Sequence, residues 1–169
     1  MTNKMDGEKQ LNRAEEDWAS VEVALKQFES SLGIKSLSGS DVDKWLTMTQ
    51  AMLNKLSEED CAEGAYLLSQ EATFIQFQLN VLQSKMDWCK RRIDKIIAPI
   101  IKTELQRYMD NALKRSLAVS SNDTAEQLQK IYDETSSYHA RLAYLPTGLR
   151  AQADKLSKYQ EVKRGQNYA

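Results

Sequence analysis

From Cys61 to Ile100 the chain sets a small or apolar residue at alternating steps of four and three. The run is Cys61, Ala65, Leu68, Ala72, Ile75, Leu79, Leu82, Met86, Cys89, Ile93, Ile96 and Ile100. A mean period of about 3.5 keeps one seam of an α-helix turned toward a neighbouring helix through successive turns, as in a left-handed coiled coil. Forty residues of helix rise roughly 60 Å at 1.5 Å per residue. A rod of that length suits an oligomer or an elongated adaptor better than the core of a globular enzyme.

The rest of the chain repeats the pattern. Leu11, Ala14, Trp18, Val21, Leu25, Phe28 and Leu32 step by three and four, and Gly33 follows as a C′ residue. Val42, Trp45, Thr49, Met52 and Leu56 do the same after Ser40 and Asp41, both good N-cap types. A last seam carries Leu128, Ile131, Thr135, Tyr138, Leu142, Leu145, Leu149, Leu156 and Tyr159, with polar Gln152 as its gap. No useful stretch alternates with period two, and no Asn-Gly hairpin signal occurs. The expected fold is all-α: an elongated helical bundle or coiled coil.

Punctuation sets the expected boundaries. Residues 33–40 read as a loop, and Ser57 opens a Ser-Glu-Glu-Asp helix start whose acids oppose the positive end of the dipole. The central helix is expected over about 57–98, continuing beyond a kink or short break at Pro99 through Ile101, Leu105, Tyr108, Met109 and Ala112 to about 117. Asp123 with Glu126 resembles a capping box that opens a C-terminal helix over about 123–164, interrupted in some way by Pro146. These elements form one structural domain, with an N-terminal helical pair in 1–56 and the long-helix region in 57–169.

The central helix carries a second stripe at intervals of seven: Leu67, Phe74, Val81 and Trp88. At 100° per residue it lies roughly 130° from the main seam. One neighbour cannot cover both faces. The stripe is therefore the expected oligomer interface, the alternative being a compact monomer with its middle helix buried on two sides.

Catalytic chemistry is not advertised. The single histidine, His139, has no metal-binding partner at helical spacing, and there is no Cys-x-x-Cys, glycine-rich phosphate loop or Gly-x-Ser-x-Gly elbow. A non-enzymatic protein without cofactor or metal is expected. Cys61 and Cys89, roughly 40 Å apart along one helix, lie beyond intrachain disulfide reach. They read as packed thiols in a reducing compartment, with Cys89 pairing across an oligomer axis as the alternative. The polar start MTNKMDGEKQ lacks the apolar core of a signal peptide, and no run is long enough to span a membrane. The expected location is the cytoplasm.

Charge is uneven despite a net value of −1. Residues 56–84 hold five acids and no base, whereas residues 85–115 hold nine bases against four acids, and residues 141–169 hold six bases against two acids. Within the basic block, Trp88 and Tyr108 are interleaved among Lys85, Lys90, Arg91, Arg92, Lys95 and Arg107. Rings beside cations suit single-stranded nucleic acid, where bases stack and phosphates pair. A solvated basic face that complements an acidic neighbour is the competing reading.

Two stretches carry a family resemblance: residues 79–89, LNVLQSKMDWC, and residues 142–164, LAYLPTGLRAQADKLSKYQEVKR. In the first, Leu82, Ser84, Lys85, Met86, Asp87 and Trp88 follow an order that resembles the bacteriophage recombination mediator family, with Gln83 standing where that family has a second base. The resemblance implies a helical homo-oligomer that binds single-stranded DNA and helps a recombinase displace a single-strand-binding protein, in the host cytoplasm. Lys85 would then belong to the DNA-contacting motif, and Lys85, Lys90, Arg91, Arg92 and Lys95 are the candidate binding residues. The alternative is a structural or scaffolding coiled-coil adaptor, such as a virion or assembly protein, with no nucleic-acid role.

Overall fold

The computed structural model describes residues 2–31, 39–104 and 109–167, and every regular element among them is helical. The helices are α1 (Thr2–Ser31), α2 (Gly39–Leu46), α3 (Gln50–Leu53), α4 (Glu58–Glu104), α5 (Asn111–Ser120), α6 (Asp123–Leu142) and α7 (Leu145–Asn167). The protein is all-α, as its periodicity requires. Leu32, Gly33, the loop up to residue 38, Leu105, Arg107 and Tyr108 lie outside the described residues, as do the side chains of Leu11, Ala14 and Phe28.

The start of α4 is written in four residues. Ser57 Oγ accepts the Asp60 N–H at 3.0 Å while Asp60 Oδ2 accepts the Ser57 N–H at 2.8 Å, a reciprocal cap. The helix then runs through Pro99 to Glu104. Proline removes one backbone bond and costs about 3 kcal/mol inside a helix. Buried Ile93 and Ile97 before it, and Ile100 and Ile101 packed on the same cluster after it, supply the apolar burial that offsets that loss. The segment expected to continue to about 117 is the separate helix α5, capped by Asp110, whose Oδ1 accepts the Ala112 N–H at 2.8 Å.

Pro146 acts differently. Helix α6 ends at Leu142, and α7 begins at Leu145, so Pro146 falls in a first turn where its missing N–H leaves nothing unsatisfied. The cap of α6 is Asn122 rather than Asp123: its Oδ1 accepts the Ala125 N–H at 3.0 Å, and Glu126 instead pairs with Lys130. The helix expected after Ser40 is interrupted at residues 47–49, and Thr49 caps the short α3. That interruption resets the rotation, burying Leu53 and leaving Met52 half exposed.

Two compact units make up the chain, one from Met1–Gln27 with Asn80–Ala140 and the other from Phe28–Leu79 with Arg141–Ala169. The core of the second unit joins Trp45, Leu68, Ala72, Leu149, Ala153 and Leu156, with half-buried Leu67 and Tyr159 against it. Its backbones approach closely at Gly64, where an added Cβ would stand 2.6 Å from the Trp45 ring and 2.8 Å from Leu156 Cδ1. Gln50 donates to the Tyr159 hydroxyl, and Lys163 Nζ donates to the Asn54 carbonyl at 3.1 Å, tying α7 to the α3 turn. The core of the first unit joins Ile93, Ile97, Ala118, Val119, Ala125 and Leu128, with Trp88 packed on it.

The α4 seam is buried or half-buried at every one of its twelve positions, with Cys61, Leu68, Ala72, Cys89 and Ile93 fully enclosed. Toward its end the contact moves from Ile96 to Ile97. A straight helix of 3.6 residues per turn drifts about 20° per heptad against a 3.5 repeat, so after about five heptads, the span from Cys61 to Ile96, the inward position has shifted by a residue.

Candidate nucleic-acid interface

Lys85, Trp88 and Arg92 stand at i, i+3 and i+7 on α4 and so share a face. That face meets α1 at Trp18, whose ring centroid lies 5.9 Å from that of Trp88 with the planes tilted by 53°. Cations rest against both rings: Lys85 Nζ is 6.0 Å from the Trp18 centroid, and the Arg92 guanidinium carbon is 5.5 Å from the Trp88 centroid. Arg92 also forms an ion pair with Asp17. Aromatic packing and cation–π attraction each contribute on the order of 0.5–1 kcal/mol at such half-exposed positions.

Lys90, Arg91 and Lys95 are exposed; Arg91 and Lys95, at i+3 and i+7 from Trp88, flank the tryptophan face, and Lys90 lies farther round α4. The acids that could neutralise them are engaged elsewhere: Asp94 pairs with Arg115, and Asp87 Oδ1 accepts from Gln83 Nε2 at 3.1 Å. Among the described residues no carboxylate pairs with Lys90, Arg91 or Lys95, and Lys102 extends the exposed basic row by two further turns. The five candidate cations therefore divide into two sets. Lys85 and Arg92 frame the tryptophans, and Lys90, Arg91 and Lys95 form a solvated basic edge.

Beside the tryptophan pair is a cavity of about 310 Å³. Trp18, Trp88 and Tyr138 supply its aromatic wall, Leu82, Leu128 and Ile131 its aliphatic wall, and Lys85, Glu15, Glu134 and Thr135 its polar groups. Trp18 is 7% exposed, and its indole N–H has no acceptor among the described residues. An unsatisfied buried donor costs roughly 1–3 kcal/mol. Thr135 donates its hydroxyl to the Ile131 carbonyl at 2.7 Å and is satisfied. Glu15 and Glu134 have no cationic partner within salt-bridge range among the described residues.

The expected interface stripe is distributed over both units. Leu67 packs on the core of the second, Phe74 and Val81 are half-buried, and Trp88 is half-buried on Trp18. A second cavity, about 480 Å³ and largely apolar, lies within the unit that holds α2 and α7, lined by Leu46, Ile75, Tyr144 and Leu149 with Asp43 and Glu71 at its edge.

The pairing of Trp18 with Trp88, and the Asp17 bond that orients Arg92, are not legible in the sequence. Both join residues about seventy apart, and only the apolar seam of α1 marked Trp18 as inward-facing. The described residues contain no group of three His, Cys, Asp or Glu side chains placed to hold a metal ion, and no helix long and apolar enough to cross a membrane. Burial pushes the Cys61 and Cys89 thiols up from the ordinary cysteine value. Compared with models of protein families, curated proteins and solved structures, the chain matches none.

Proposed function

We propose that this is a non-enzymatic, oligomeric helical protein that binds single-stranded DNA along the second half of α4 and assists recombinase loading in phage recombination or repair. The observation that carries this reading is the exposed, uncompensated edge of Lys90, Arg91 and Lys95 beside the tryptophan pair and Lys85. Phosphates release counterions when they meet such an edge, and rings nearby give bases a place to stack. A net charge of −1 does not oppose this, because at physiological salt the screening length is about 8 Å and the local face governs contact. In this role the protein works in the host cytoplasm, with a recombinase and a single-strand-binding protein as partners.

Anisotropy of a labelled oligo-dT tests the reading. Binding at about 50 mM salt should weaken with salt on a log–log plot with a slope of roughly 0.7 per phosphate contacted. Arg91→Glu with Lys95→Glu leaves the Arg92–Asp17 pair intact and should lower that slope by about 1.4. Absent binding at low salt, or unchanged affinity in the double variant, refutes it.

A structural adaptor is the second reading, and the apolar cavity edged by exposed Leu46, Tyr144 and Leu145 favours it. In that case light scattering registers an assembly whose mass is insensitive to oligonucleotide and to the charge reversals on α4.

A further inference from the structure

The basic edge explains attraction to a phosphate backbone but leaves the cavity beside it unused. Building on the single-strand reading, we propose that this cavity receives one unpaired nucleobase bearing an exocyclic amine, such as cytosine, while Lys85 takes the adjoining phosphate.

Three observations converge on it. The volume, about 310 Å³, is at the lower end for small-molecule sites and suits a single base rather than a stacked pair. Trp18, Trp88 and Tyr138 line it, and Tyr138 is 59% exposed, so one ring stands at the mouth where an entering base can stack. Glu15 and Glu134 line the same space and form no salt bridge among the described residues.

The two carboxylates determine what enters. They repel phosphate, so the backbone is held on the Lys85 side of the lining and away from them, and they accept hydrogen bonds from an amino group as acidic residues do from cytosine N4. Thymine has no exocyclic amine and places O4 where cytosine has its amino group, so it is disfavoured. Specificity here follows from a donor–acceptor match, not from net attraction.

The test compares three strands of equal length on the full chain: oligo-dC, oligo-dT and an abasic strand with the same phosphates. Oligo-dC should bind about tenfold more tightly than the abasic strand, equivalent to about 1.4 kcal/mol, and more tightly than oligo-dT, with the same salt slope for all three. Ile131→Phe fills the cavity wall and should reduce oligo-dC affinity to the abasic level. Its unchanged abasic-strand affinity reports that the fold survives, and Glu134→Gln, which leaves packing intact, should reduce the preference for oligo-dC over oligo-dT. Equal affinity for oligo-dC and the abasic strand, or for oligo-dC and oligo-dT, overturns the base pocket while leaving backbone binding standing. Failure of all three strands to bind overturns both together.

Discussion

Replacing Gly64 by alanine measures how closely α2 and α7 approach α4. The new Cβ would sit 2.6 and 2.7 Å from Cε3 and Cζ3 of Trp45 and 2.8 Å from Leu156 Cδ1. Carbon atoms in comfortable contact stand about 3.5–4.0 Å apart, so three overlaps of roughly 1 Å must be relieved. Trp45 is 2% exposed and Leu156 is fully buried, which leaves neither side chain free space to retreat into. Overpacking of this kind costs about 1–3 kcal/mol. Alanine regains roughly 1 kcal/mol of helix propensity over glycine, so the net effect is a loss of up to about 2 kcal/mol. Gly148 provides the control, because nothing lies within 4 Å of its added Cβ. Gly148→Ala keeps only the propensity gain and should stabilise by about 0.5–1 kcal/mol. The difference between the two variants therefore isolates the clash. Urea unfolding followed by far-ultraviolet circular dichroism reads it as midpoints that move in opposite directions. If Gly64→Ala stabilises as much as Gly148→Ala, the Trp45 ring does not lie on α4 at Gly64.

The two thiols should be silent in the native state. Burial both shields Cys61 and Cys89 and raises their pKa values, so an aromatic disulfide reagent near neutral pH should react slowly until urea is added and then titrate two thiols. Complete reaction within seconds without denaturant contradicts the packing. At the start of α4, the side-chain and backbone hydrogen bonds of Ser57 hold the Asp60 carboxyl below the ordinary aspartate value. A carboxyl lowered by folding contributes stability that is complete above about pH 4 and is lost as pH falls through the folded pKa. Ser57→Ala should move the Asp60 titration upward in a carbon-detected NMR experiment and flatten that acid limb; an unmoved titration refutes the cap.

Much of α4 was determined within its own sequence. The twelve-residue seam faces inward, and the Ser57–Asp60 cap forms where the Ser-Glu-Glu-Asp run stands, because both depend on residues only three or four apart. The all-α fold follows from the same short-range periodicity repeated in α1, α6 and α7. Phase was harder to read. Ala153 rather than Gln152 continues the α7 seam, and Gln152 Nε2 instead donates to the Trp45 carbonyl at 3.4 Å. Leu53 replaces Met52 as the inward residue after the turn at 47–49, and Ile97 replaces Ile96. In each case one residue of rotation, about 100°, decides which neighbour turns inward, and the turns and the 3.6-residue pitch set that rotation.

The candidate site belongs almost wholly to the tertiary structure. Sequence singled out Lys85, Trp88 and Arg92 as one basic-aromatic stretch, yet it could not separate the two that frame a ring pair from the exposed edge of Lys90, Arg91 and Lys95. That division arises because α1 brings Asp17 and Trp18 against α4 from some seventy residues away, while α6 adds Glu134 and Tyr138. Helix formation is governed by neighbours along the chain, but the choice of which helical faces meet depends on connections and on the fit of whole surfaces. A cavity exists only where several such faces fail to close completely.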